Sequence, residues 1–133
     1  MGKNNINISK VTEALKSSSD LDFNTMMNLY NSKDYHWALF IGHLVLEKLL
    51  KALYAKKRNK HPLFIHDLLR LANESDLTIS EERADMLDTI TTFNINARYD
   101  DYKQEFYKLC TKEFTKLWIE NISKLREWIK REF

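Results

Sequence analysis

The sequence predicts an all-α protein, an up-down antiparallel bundle of four to five helices with short extra helices, and three observations support this fold class. Only two glycines and one proline occur in 133 residues, although the turns of β-sheet proteins depend on these residue types. Apolar residues make up 44% of the chain, which is enough for a hydrophobic core. They recur mainly at helical spacing. A chain of this length predicts a single domain over residues 1–133, with residues 1–8 frayed.

The N-terminal half of the chain predicts two short helices and then a long one. A short helix is expected over residues 9–16, capped by its first serine, and the polar run at 17–20 interrupts it. The next helix, over residues 21–31, carries its apolar residues on one side. Asp34 is a suitable N-cap for the long helix that follows, and the basic run at 56–60 marks where that helix ends.

The C-terminal half predicts three further helices. A short helix is expected at about residues 67–73, and Ser80 is a suitable N-cap for the next one. That helix should end near Arg98, where a polar and aromatic connection over residues 99–107 begins. The last helix is expected over residues 111–130, with an apolar stripe at helical spacing.

The composition excludes several classes of function. The net charge of +2 is too balanced to predict nucleic-acid binding from electrostatics alone. Cys110 is the single cysteine, so no internal disulfide is possible and a reducing cytoplasm is the expected location. The longest apolar stretch is interrupted by charged residues and predicts no membrane span. Glycine-rich phosphate loops and cysteine–histidine zinc motifs are absent from the sequence, and no cofactor is expected.

The most informative segment is the predicted helix over residues 36–54, which is apolar nearly all the way round. It nevertheless carries His43, Glu47 and Lys51, here called the polar row, at intervals of four residues. This spacing places the three side chains on one face of the helix. The polar row either satisfies itself or lines a cleft or an interface. A metal site would need a third ligand, which the sequence does not identify.

Two other pairs of residues are candidates for the same cleft. His66 and Asp67 stand at the start of the short helix predicted over residues 67–73, where they either cap the helix or assist in binding an anion. Arg98 and Tyr99 close the helix predicted after Ser80, where the arginine either contacts helix carbonyls or holds a phosphate through its planar guanidinium. We expect Glu47 and Arg98 to lie within salt-bridge reach of each other.

Several sequence blocks occur in an order typical of one known family. They are HWALF at 36–40, HLVLEKLLKALY at 43–54, HDLLRL at 66–71, ARY at 97–99 and EWIK at 127–130. Over residues 34–131 the chain therefore resembles the HEPN domain family of small prokaryotic helical-bundle proteins. The resemblance implies a homodimer, often paired with a small nucleotidyltransferase in systems that behave as toxin and antitoxin. It also implies binding of a nucleotide or RNA.

Many members of this family are ribonucleases, with a motif of arginine, four to six residues and then histidine at the dimer interface. Arg98 is the natural match for the arginine, but no histidine follows His66 in this chain. The motif is thus absent, and the expected function is a non-catalytic binding module with a cleft formed by the polar row, His66, Asp67, Arg98 and Tyr99. One alternative is a metal-independent ribonuclease in which Arg98 holds the phosphate and His66 or His43 is the base. Another is a structural helical dimer without a ligand.

Overall fold

The structure, a computed structural model, describes residues 7–133 and confirms the predicted all-α class. This part of the chain forms six helices and no strand. The helices are α1 (Ile8–Asn31), α2 (Tyr35–Arg58), α3 (Leu68–Glu74), α4 (Glu81–Asn96), α5 (Asp100–Leu109) and α6 (Lys112–Lys130). None of the helices in residues 7–133 combines the length and the apolar character needed to cross a membrane.

Helix α1 is continuous, so the predicted break at residues 17–20 is wrong. Ser18 and Ser19 face α2 and find their hydrogen-bond partners there, whereas Ser17 and Asp20 are exposed. Ser19 is fully buried and its hydroxyl donates to the backbone carbonyl of Val45 over 2.7 Å. The ammonium of Lys48 donates to Ser18 Oγ and to the Asp22 carboxylate. Because α2 satisfies these polar groups, the run remains helical despite its weak intrinsic propensity.

The start of α1 also differs from the prediction. Asn7 is its N-cap, and the Asn7 side chain accepts a hydrogen bond from the backbone N–H of Lys10. Helix α1 therefore begins at Ile8, where the sequence predicted a frayed end. The rest of the predicted frayed segment, residues 1–6, lies outside the described residues.

Helix α2 is the centre of the bundle and packs against each of the other helices. More than half of its 24 residues are buried. Gly42 allows the closest approach, since a Cβ atom there would lie 2.5 Å from Ile122 Cδ1 and 3.1 Å from Met26 Sδ. A side chain at this position would therefore require the Ile122 and Met26 side chains to shift.

Residues 100–109 form helix α5, so the predicted connection over residues 99–107 is wrong. Asp100 and Asp101 lie in its first turn and Lys108 in its last, where each charge is favourable to the helix dipole. Phe106 is its one buried residue and packs on Phe93 of α4. Tyr102, Phe106 and Leu109 do recur at helical spacing, but the segment is short and mostly polar, and the sequence prediction overlooked this period.

The remaining boundaries agree closely with the sequence. The Asp67, Ser80 and Thr111 side chains each accept the backbone N–H three residues later, and these three residues are the N-caps of α3, α4 and α6. Asp34 is the residue that precedes α2, but its carboxylate accepts from Ser32 Oγ and does not cap the helix. Asn59 adopts the left-handed conformation that ends α2.

Candidate functional site

The polar row lies on the buried side of α2 and its members interact with each other. His43 is completely buried, and the Glu47 side chain is only 8% exposed. The Lys51 ammonium donates to Glu47 Oε2 over 3.0 Å. The charge of Glu47 is thus compensated within the helix, as the spacing of four residues permits.

The loop between α2 and α3 brings His66 to the same carboxylate. His66 Nδ1 donates to Glu47 Oε1 over 2.9 Å, so that both carboxylate oxygens of Glu47 have a partner. The His66 side chain is 63% exposed. Since Nδ1 is engaged by Glu47, Nε2 is the ring nitrogen left for solvent or a ligand. We refer to His43, Glu47, Lys51 and His66 as the Glu47 cluster.

His43 lies beneath this cluster and anchors the loop that carries His66. His43 Nε2 donates to the backbone carbonyl of His66 over 3.0 Å. Its Nδ1 atom is buried and has no hydrogen-bond partner among the described residues. Burial lowers the pKa of His43 from its ordinary value of 6.5, which favours the neutral ring. His43 therefore acts as a structural donor within the bundle.

The lowered pKa of His43 predicts a loss of stability in mild acid. The unfolded chain takes up a proton near pH 6.5, whereas the folded chain holds His43 neutral. As the pH falls below this value, the free energy of unfolding should decrease by up to about 1.4 kcal/mol per pH unit, until the folded pKa is reached. Burial also lowers the pKa of His36, which therefore contributes to the loss of stability in the same direction. Chemical denaturation between about pH 7 and about pH 5 measures the slope.

The matched control for this prediction is His43→Gln. Its side-chain amide can still donate to the carbonyl of His66, but it does not titrate. The slope should therefore become shallower than in the parent protein. An unchanged slope would mean that other groups cause the acid sensitivity.

Arg98 and Tyr99 lie at the surface, just beyond the end of α4. Arg98 Nε donates to the backbone carbonyl of Asn94 over 2.9 Å. The guanidinium lies 5.5 Å from the ring centroid of Phe40, which precedes His43 by one helical turn. Arg98 is near enough to the Glu47 cluster for its charge to contribute to the lowered pKa of His43.

The expected ion pair between Glu47 and Arg98 is wrong. Within residues 7–133, the ion-pair partners of Glu47 are His43, Lys51 and His66. Arg98 contacts its own helix and the aromatic rings of Phe40 and Tyr99 instead. Each oxygen of the Glu47 carboxylate already accepts a hydrogen bond, one from Lys51 and the other from His66.

Comparison with known proteins identifies the family. The HEPN domain model matches residues 12–132, which is nearly the whole chain. The chain belongs to the HEPN domain family. Its fold is similar to that of TT1696 from Thermus thermophilus, a crystal structure, with a TM-score of 0.79 and 16% sequence identity over 92% of this chain and 98% of that chain. At this identity the similarity concerns the fold alone. No curated protein matches the sequence.

In this HEPN domain, the structure brings together His43, Glu47, Lys51 and His66, which the sequence named as candidates. Asp67 was a candidate too, but its carboxylate caps α3 and is not part of the cluster. The contribution of Phe40 was missed, although its position three residues before His43 put it on the same helix face.

The cluster offers two kinds of chemistry to a ligand. Lys51 of the cluster and the neighbouring Arg98 are cations suited to an anionic group. A neutral His66 held by Glu47 presents Nε2 as a base, since the carboxylate fixes the ring and its tautomer. In residues 7–133, no group of three histidine, cysteine, aspartate or glutamate side chains is arranged to hold a metal ion.

Proposed function

We propose that this HEPN protein is a dimeric binding module of the cytoplasm that engages a nucleotide or a nucleotidyltransferase partner in a toxin–antitoxin-like system, and of these two ligands the structure favours the nucleotide. The observation that carries the proposal is the Glu47 cluster, a buried carboxylate that holds Lys51 and the exposed His66. The arrangement of the cluster favours a site that binds a phosphate group over a cluster with a purely structural role. A structural role would not require an exposed histidine fixed by a buried acid.

The charges around the cluster support an anionic ligand. The positive charges of Lys51 and Arg98 outnumber the buried negative charge of Glu47, and the Asp67 carboxylate next to His66 is engaged in capping α3. Glu47 also orients the His66 ring with Nε2 toward solvent.

A thermal shift measurement with ATP tests the binding proposal. At a concentration one hundred times its Kd, a ligand adds about 2.7 kcal/mol to the free energy of unfolding. We expect ATP to raise the Tm of the parent protein, and we expect His66→Ala and Arg98→Ala to reduce this shift. Arg98 is exposed, so Arg98→Ala should change the Tm of the free protein little, whereas His66→Ala removes one partner of the buried Glu47 carboxylate and should lower it. The ATP shift of each variant is therefore measured from its own ligand-free Tm.

Arg70→Ala is the matched control, since Arg70 is an exposed cation on the neighbouring helix α3 whose side chain is outside the cluster. Its ATP shift should equal that of the parent protein. If ATP, other nucleotides and RNA leave the Tm unchanged, the proposal is wrong.

An exposed apolar surface supports the dimer. It extends over the end of α4, helix α5 and the beginning of α6, where six large side chains are about half exposed or more. These are Ile95, Tyr99, Tyr102, Tyr107, Leu109 and Leu117. Large apolar side chains exposed in such number on neighbouring segments are typical of an interface between proteins. Light scattering should give twice the 15.9 kDa mass of the chain. A monomer at high concentration would exclude this part of the proposal.

One observation favours a second candidate function, the metal-independent cleavage of RNA. The hydrogen bond between Glu47 and His66 is the arrangement that prepares a histidine to act as a general base. His43 is fully buried, so His66 is the histidine that we propose for this role, with Arg98 holding the phosphate. Cleavage of RNA in the presence of a chelator, lost in both His66→Ala and Arg98→Ala, would favour this function over the binding module.

A further inference from the structure

An apolar groove lies beside the Glu47 cluster, between α1 and the loop that joins α2 to α3. Its volume is about 450 Å³, which falls in the range of small-molecule sites. Val11 and Leu15 of α1 line one wall, and Leu63 and Phe64 of the loop line the other. Most of the surface inside the groove is apolar, so it suits a flat hydrophobic group better than a hydrated one.

Phe64 gives this groove an aromatic surface. Its side chain is 89% exposed, the most exposed of the large hydrophobic residues in the described chain. The ring lies against that of His61, with centroids 5.1 Å apart and planes inclined by 30°. Such an exposed ring contributes little to the core, but it can stack on a planar aromatic ligand.

Lys51 connects the groove to the Glu47 cluster. It lines the groove, and its ammonium also donates to Glu47 Oε2. Phe64 is two residues before His66 in the same loop. A ligand with its ring in the groove would therefore have the ammonium of Lys51 nearby for an anionic group, and the exposed His66 ring beyond it.

We propose that this groove is the subsite for the base of the bound nucleotide, with Phe64 as the stacking residue and Lys51 at the junction with the phosphate. The inference rests on the proposed function and adds to it the position and the chemistry of the second half of the ligand. Neither an isolated phosphate nor an isolated apolar molecule uses both parts of this surface. The ligand class is a planar aromatic ring that carries an anionic group.

Calorimetric titration with ATP and with tripolyphosphate tests this inference. Phe64→Ala should raise the Kd for ATP about tenfold, the effect of losing one stacking contact. It should leave the Kd for tripolyphosphate unchanged, because Phe64 does not contact the phosphates. Phe64→Trp should retain the affinity for ATP. Leu21→Ala is the control, since Leu21 is an exposed apolar residue of α1 outside the groove.

The outcomes separate this inference from the proposed function. If Phe64→Ala binds ATP as well as the parent protein does, the subsite is wrong and nucleotide binding stands. If ATP, other nucleotides, RNA and tripolyphosphate all fail to bind the parent protein, both proposals are wrong. Methyl NMR signals of Val11 and Leu15 supply a second readout and should shift with ATP but not with tripolyphosphate. If they shift instead with protein concentration alone, a second copy of the chain occupies the groove, and the inference is overturned.

Discussion

Glu47→Leu is expected to lower the free energy of unfolding by about 3 kcal/mol, the usual cost of leaving a buried charge without its partner. Glu47 is almost completely buried and accepts from both Lys51 and His66. His66 is exposed and can turn to water, but the Lys51 side chain is only 15% exposed. Most of the effect should therefore come from the stranded ammonium of Lys51. Urea denaturation of the single variant measures the loss.

The double variant Glu47→Leu/Lys51→Leu is the sharpest control for this result. Replacing a buried ion pair with apolar side chains is often neutral or stabilising, so we expect it to recover most of the lost stability. Lys51 also lines the apolar groove, where a leucine would find apolar neighbours. If the double variant is as unstable as Glu47→Leu alone, the stability effect arises elsewhere, for example from the loss of the His66 contact.

The same pair of variants distinguishes stability from function. The double variant should fold but should bind ATP weakly, because it lacks the ammonium and no longer fixes the His66 ring. If it retained both normal stability and normal ATP binding, the Glu47 cluster would not be the ligand site. The comparison therefore tests the proposed site in a protein whose fold is intact.

The spacing of residues in α2 predicted a large part of this site. A period of four residues placed His43, Glu47 and Lys51 on one face, since helix geometry leaves no other arrangement. The N-caps Asp67, Ser80 and Thr111 were equally predictable, because their side chains bond to backbone within three residues. Both features depend on local geometry alone.

Features that depend on contacts between distant segments could not be predicted in this way. The pairing of His66 with Glu47 requires the loop to fold back on α2, and the bond from His43 to the His66 carbonyl holds it there. The unbroken α1 depends on the Ser19 hydroxyl reaching the carbonyl of Val45. A sequence pattern contains the serine but not its distant acceptor, and so it predicted a break.

Helix α5 is also held by a contact between distant segments. Phe93 of α4 is buried among three aromatic rings, those of Phe106 on α5 and of Phe114 and Trp118 on α6. The ring centroids of Phe93 and Phe106 lie 5.4 Å apart. Phe106 is the one buried residue of α5, so Phe93 supplies much of what holds that helix on the bundle.

Phe93→Ala is therefore expected to cost about 3–5 kcal/mol in the free energy of unfolding, through lost burial and the cavity left behind. Calorimetry or urea denaturation measures this loss, and Asp88→Ala on the exposed face of α4 should change stability by less than about 0.5 kcal/mol.

Hydrogen exchange of Phe93→Ala should show a second effect, in which the amides of α5 lose protection before those of α2. Because α5 carries Tyr102 and Tyr107 of the exposed apolar surface, Phe93→Ala should also weaken the proposed dimer. A variant that loses stability but keeps α5 protected and the dimer intact would show that α5 is held by contacts other than Phe93.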